Sequence, residues 1–143
     1  MLVNQWHRCM VALSATRLAD MNAPSSLQFQ PLVYMKGPLP EPTEWRPPQE
    51  RVVAGDPLQR AWDLHASADG RFHAGIWECA VGKWRVIFTE CEFCQILEGE
   101  IVVTGDDGSE RTWRAGDAFV SPSGFTGYWD VRKPARKYYV VYE

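Results

Sequence analysis

Past Asp56 the chain is a succession of short extended runs with turn signals between them, a pattern that leaves room for little besides a β-sandwich or β-barrel. Ala61 to Ala66 reads as a strand, ended by the turn Ser67-Ala68-Asp69-Gly70. Phe72 to Val81 follows, with Gly75 placed for a bulge. Lys83 to Leu97 is one long extended stretch. Glu100 to Thr104 is short and β-branched, and Asp106-Asp107-Gly108 behind it is a hairpin turn. Glu110 to Trp113, Ala118 to Ser121, Gly127 to Val131 and Lys137 to Tyr142 complete the series.

Before this series the chain has a different character. Pro38, Pro40, Pro42, Pro47 and Pro48 crowd the stretch from Gly37 to Pro48. Proline locks φ and removes a ladder donor, so the segment is an extended arm, not a helix or a central strand. It either lies along the barrel or reaches across to a second subunit. Ahead of it, Leu2, Trp6, Cys9/Met10 and Leu13 fall at helical spacing, and no acid appears before Asp20. Lacking a clear basic start, apolar run and cleavage site, this region reads as a non-core extension or as sequence upstream of a true start at Met21. The expected division is therefore 1–36 extension, 37–57 Pro-rich arm and 58–143 barrel domain.

The chain has 143 residues, enough for one domain with a sizeable core, and its 45% apolar and 13% aromatic content argues against disorder. A formal charge of -3 offers no basic excess to neutralise phosphates, so nucleic acid is not an expected partner. No apolar run reaches membrane-spanning length. With no export signal, Cys9, Cys79, Cys91 and Cys94 are expected to be reduced thiols in the cytoplasm. Cys91 and Cys94 form a C-x-x-C, but they lie in an extended pattern, where they face opposite sides of a strand. No second C-x-x-C is present to complete a zinc site.

Two stretches carry more than the pattern. The first is Glu92-Phe93-Cys94-Gln95-Ile96-Leu97-Glu98-Gly99-Glu100; the second is Gly116-Asp117-Ala118-Phe119-Val120-Ser121-Pro122-Ser123-Gly124. Together they resemble the two cupin motifs. The resemblance covers Leu58 to Glu143 and implies an all-β, cupin-type double-stranded β-helix, or jelly roll. The first cupin motif has two histidines one residue apart, then a glutamate, then a glycine seven further on. Gly99 and Glu92 fit the last two. The histidine positions fall on Val86 and Phe88, or on Arg85 and Ile87 with the other loop spacing. In the second motif Gly116, Pro122 and Gly124 fit, and the histidine position falls on Gly127. Glu92 alone remains of four usual ligands, and typical transition-metal sites need three or four. No cofactor is expected; the alternative is a divalent metal at Glu92, held without the usual histidines.

The chain is more particularly similar to the cupin type 3 subgroup, whose members include the cupin of ureidoglycine aminohydrolase and that of ethanolamine utilisation. Ala74-Gly75-Ile76-Trp77-Glu78-Cys79, Gly82-Lys83-Trp84-Arg85-Val86, Pro122-Ser123-Gly124-Phe125 and Lys137-Tyr138-Tyr139-Val140 carry that likeness beside the two motifs. The subgroup implies a fold and no single activity. Ureidoglycine aminohydrolase binds manganese through a histidine-containing set that this chain lacks.

With Glu92 inward, period two puts Trp84, Val86, Phe88, Glu90, Cys94 and Ile96 on the same face. Gly127 inward carries Trp129 and Val131 with it. The expected ligand-binding residues are then Trp84, Phe88, Glu90, Glu92, Cys94, Trp129 and Lys137, with Glu90 and Glu92 as candidate catalytic carboxylates. Those two have Cα atoms about 7 Å apart, and like charges that close raise at least one pKa. They are suited to acid–base work, or else a cation such as Lys137 neutralises them in a structural salt bridge. Trp77, Trp84 and Trp129 form either a stacking wall or plain core. Cys94 without a base beside it is a small buried hydrophobe. Lys137 either pairs with an inward acid or stands exposed on an edge.

Three functions compete. The leading expectation is a metal-independent cupin that binds a small polar metabolite, as a sensor or an accessory domain. The alternatives are an aminohydrolase- or isomerase-like enzyme using Glu90 and Glu92, and a structural barrel used mainly for dimerisation. A homodimer is the expected assembly.

Overall fold

The computed structural model describes residues 30–143. The helical spacing between Leu2 and Leu13 lies outside the described residues. The strands are β1 (Thr43–Trp45), β2 (Val52–Gly55), β3 (Gln59–Ala66), β4 (Phe72–Cys79), β5 (Gly82–Ile87), β6 (Cys91–Gly105), β7 (Glu110–Arg114), β8 (Ala118–Ser121) and β9 (Thr126–Tyr142). A single 3-10 turn, Gln49–Arg51, joins β1 to β2. No helix among the described residues is long and apolar enough to cross a membrane.

The strands form one curled antiparallel sheet in the order β1-β3-β4-β9-β5-β2, and β6 lies along β9 while also pairing β7 and β8. Two long strands organise it. One end of β9 pairs β5 and the other pairs β4, and β6 follows β9 over most of its length. The sequence pattern separates Gly127–Val131 from Lys137–Tyr142, and Lys83–Leu97 from Glu100–Thr104. The structure joins the first two into β9, and carries β6 without a break through Leu97 to Gly105. A matched pair of irregularities makes this possible. The β6–β9 register shifts between Ile96 and Ile101, opposite Pro134. Proline has no ladder donor, so it fits where the register skips. Gly99 bends there at φ +88, and a Cβ on it would stand 2.3 Å from the Pro134 carbonyl oxygen.

The long extended stretch breaks instead at Phe88 to Glu90. Phe88 turns its backbone to the second motif: its N–H donates to the Phe125 carbonyl at 2.9 Å, and its carbonyl accepts from Gly124 at 2.8 Å. The bulge expected at Gly75 sits on the facing strand, where the β3 register shifts between Asp63 and His65. The Asp106-Asp107-Gly108 hairpin is present, with the Gly108 N–H donating to Gly105 at 3.0 Å.

The Pro-rich arm lies along its own barrel. Its strands β1 and β2 are the two ends of the main strand path, the edge positions that proline-flanked strands tolerate. The sheet thus begins inside 37–57 and not at residue 58. Trp62 Nε1 donates to the Pro40 carbonyl at 2.9 Å and Arg60 bridges to Glu44, which holds the arm against β3.

The core fills the curl of the sheet. Trp77, Trp84, Phe88, Cys94, Ile96, Trp129, Val131 and Tyr139 are among its buried members. Trp129 is the hub: Trp77 meets it edge-on at 5.7 Å, Phe88 lies 5.8 Å away and Phe119 6.0 Å. Edge-to-face aromatic pairs of this kind add about 0.5–1.5 kcal/mol beyond their area burial.

Candidate functional site

Alternation along β6 sends Glu92, Cys94 and Ile96 inward and Cys91, Phe93 and Gln95 outward. The same alternation on β9 sends Ala135, Lys137, Tyr139 and Val141 inward. Lys137 stands opposite Ile96 on β6 and opposite Trp77 on β4. Its side chain is fully buried, at 0% exposure.

The ammonium of Lys137 is boxed in by four side chains. Nζ donates to Glu92 Oε1 at 2.7 Å and to Cys94 Sγ at 3.1 Å. It also lies 4.8 Å from the ring centre of Trp77 and 4.5 Å from that of Trp129, within reach of both indole π-faces. A buried charge needs such partners, because an unpaired one costs several kcal/mol. Burial alone pulls the Lys137 pKa down, but the neighbouring Cys94 and Glu92 outweigh it and hold the pKa above the ordinary lysine value. Glu92 is shifted up: burial is the main cause, Lys137 opposes it, and Glu90 adds a smaller push. Burial first, then the charge of Glu92, pushes the Cys94 thiol up to about 12, so it is protonated and inert at neutral pH.

The expected residues fall as follows. Trp84, Phe88, Glu90, Glu92, Cys94, Trp129 and Lys137 are all buried. Glu92, Cys94, Trp129 and Lys137 meet one another around the ammonium. Glu90 is turned to its own neighbour, accepting from Thr89 N at 3.1 Å and Thr89 Oγ1 at 2.7 Å. Trp84 and Phe88 pack on Trp129. Trp129 Nε1 is a buried donor with no partner among the described residues. His73 bonds Asp63 and the Gly70 carbonyl, away from this cluster.

The described residues around Glu92 do not make up a transition-metal ligand set. Of the two loop spacings for the missing histidines, the inward pair is Val86 and Phe88, while Arg85 turns outward to Asp106. Among the described residues no group of three or more His, Cys, Asp or Glu is placed to hold a metal ion. The one remaining carboxylate, Glu92, is engaged by an ammonium. Gly127 is closed to a side chain altogether, since a Cβ there would lie 2.1 Å from the Thr104 carbonyl oxygen.

Open volume lies beside this core. A cavity of about 230 Å³ is walled by Val103, Trp113, Phe119 and Phe125, with Arg111 and Ser121 also lining it. Trp113 and Phe119 stack at 4.5 Å with their planes 24° apart, and Phe119 in turn touches Trp129. A second space of about 30 Å³ lies between the arm (Trp45, Pro47, Pro48, Arg51) and Trp84 and Phe88, room for little more than a water. None of the seven expected ligand-binding residues lines the larger cavity. Its walls come from the short strands β7 and β8 and from Phe125. Period two on those strands pairs Arg111 with Trp113 and Phe119 with Ser121, the signal that would have found them.

A curled antiparallel sheet with a glycine-marked bend after Glu92 and a Gly-x-x-x-x-x-Pro-x-Gly turn is the frame of a cupin. The model of the EutQ-like cupin domain matches residues 66–139, and the chain belongs to that family. A protein of unknown function from Pseudomonas syringae pv. tomato str. DC3000, of the DUF861 family, is 22% identical with a TM-score of 0.66 over 72% of this chain. The match takes in 45% of that protein, so this chain corresponds to less than half its length. The Clostridium difficile EutQ protein is 20% identical with a TM-score of 0.53, over 60% of this chain and 68% of its own. At these identities the likeness is one of fold. No curated protein matches the chain significantly.

Proposed function

We propose that this protein is a metal-independent cupin that binds a small metabolite in the cavity between β7, β8 and Phe125, with the Lys137 ammonium as the internal cation that balances Glu92. The observation that carries the reading is the separation of two regions. The Lys137 ammonium is enclosed by Glu92, Cys94, Trp77 and Trp129, while the adjoining space of about 230 Å³ is open and walled by Trp113, Phe119 and Phe125. Apolar and aromatic walls with a few polar groups at the margin are the usual make-up of a small-molecule site.

The enzyme reading built on Glu90 and Glu92 finds less support. Neither carboxylate lines the cavity, and Glu92 is 2% exposed and held by Lys137. A general base must reach its substrate within a hydrogen bond or one water.

Saturation-transfer NMR against a mixture of aromatic and aliphatic fragments, run in chelator-treated buffer, tests the proposal. Bound fragments are expected, with affinity falling about tenfold in Trp113→Leu, the loss of one good ring contact of about 1.4 kcal/mol. An absence of any bound fragment, or binding that ignores Trp113→Leu in a folded variant, would count against the cavity.

A further inference from the structure

The arginines of the sheet are almost all occupied. Arg46, Arg60, Arg85, Arg114, Arg132 and Arg136 each bridge an acid. Arg71 donates to the Glu143 carbonyl oxygen at 2.8 Å. Two arginines have no such partner among the described residues, Arg51 and Arg111, and each lines one of the two spaces. Among the described residues Arg111 is the sole charged one on the wall of the larger space, and no acid lines it. In a chain with more acids than bases, a guanidinium left unpaired beside a cavity is a place for an anion.

Size narrows the choice. A cavity of roughly 150 Å³ accepts benzene, and drug-sized ligands need about 300 Å³ or more. At about 230 Å³ the space suits one ring with a short arm. Trp113 and Phe119, stacked one on the other, and Phe125 offer faces and edges to a flat apolar ring. Arg111 comes from the same face of β7 as Trp113, so an anionic arm on that ring meets its fork.

We infer that the cavity takes an aromatic monocarboxylic acid, its ring among Trp113, Phe119 and Phe125 and its carboxylate on Arg111. The inference rests on the reading of this cavity as the binding site. A sugar phosphate would leave the three ring faces without an apolar partner, and a cationic ligand finds no acid among the described residues of the walls.

NMR titration of the full chain with phenylacetate, phenylacetamide and phenethylamine tests it. Phenylacetate is expected to bind at least about tenfold more tightly than the amide, and the amine not at all, in keeping with a charge-assisted pair. Arg111→Gln, at an exposed position where folding is not at stake, is expected to bring the acid and the amide to equal affinity. Equal affinities in the wild-type protein overturn the inference, as does an acid preference that survives Arg111→Gln. Binding of the amide alone overturns it while leaving the cavity as a binding site; binding of none of the three, with none of the neutral fragments either, removes both readings.

Discussion

Lys137→Met is expected to lower stability by roughly 3–5 kcal/mol, the usual cost of removing one partner from a buried ion pair. Methionine nearly matches the lysine stem, so the loss is one of charge. Glu92 is left in the barrel with two indoles and a thiol, and no described cation replaces Nζ. The pH dependence has a definite sign. Glu92 already has a raised pKa, and loss of the ammonium raises it further. A carboxyl whose folded pKa is raised takes up its proton more readily in the folded state, so its penalty fades as pH falls. The gap between variant and wild type therefore narrows from pH 7 to pH 5. Lys137, also raised, holds its contribution below the ordinary lysine pKa of 10.5 and loses it as pH climbs through its own higher value. The gap narrows again there. Adding Glu92→Leu to Lys137→Met removes the stranded charge, and the double variant is expected to recover to within about 1 kcal/mol of wild type. Urea unfolding of the three proteins reads all of this. A single variant as stable as wild type would show that the pair is not what holds the barrel centre.

Gly127→Ala is the second large effect, about 3 kcal/mol at the upper end of what overpacking costs. A Cβ there would stand 2.1 Å from the Thr104 carbonyl oxygen and 3.1 Å from Gly105 Cα, both backbone of β6. Neither can swing away as a side-chain end would, so β6 and β9 must part. Gly127 is also the position at which the second cupin motif carries histidine. Gly127→His is thus expected to destabilise at least as much and to take up no metal. Thermal melts of the two variants check this, and a Gly127→Ala protein melting like wild type would show that the strands separate freely at that point.

The alternation of β6 is legible in the sequence itself, because period two is rigid: one inward residue, Glu92, fixes Cys94 and Ile96. Trp84 and Val86 are inward too, but on β5, across a break at Phe88 to Glu90 that the pattern does not show. The same rule puts Cys91 and Cys94 on opposite faces, where the structure has them exposed and buried. The strand limits are harder. Gly99 and Pro134 fall in gaps between runs expected as separate strands, and each is a bend in a continuous strand, because the bulge on β6 faces the donorless residue on β9. Lys137 has two readings in the sequence, since its parity depends on where that bend falls. The arm reads as extended, and only tertiary pairing with β3 and β5 turns parts of it into edge strands. The larger cavity stays hidden for a different reason. The motif residues draw attention to β6, whereas the open space is walled by Trp113, Phe119 and Phe125; period two on β7 and β8 gives the pairs Arg111 with Trp113 and Phe119 with Ser121, but not that they face an open space.

The proposed metal independence, with the Lys137 ammonium balancing Glu92, is the point on which the functional reading turns. Elemental analysis of tag-free protein, grown with manganese, iron, nickel and zinc supplied, tests it most directly. The account predicts metal well below one atom per chain and a melting temperature unchanged by chelator. One atom per chain, with a melting temperature that falls when it is removed, would contradict it.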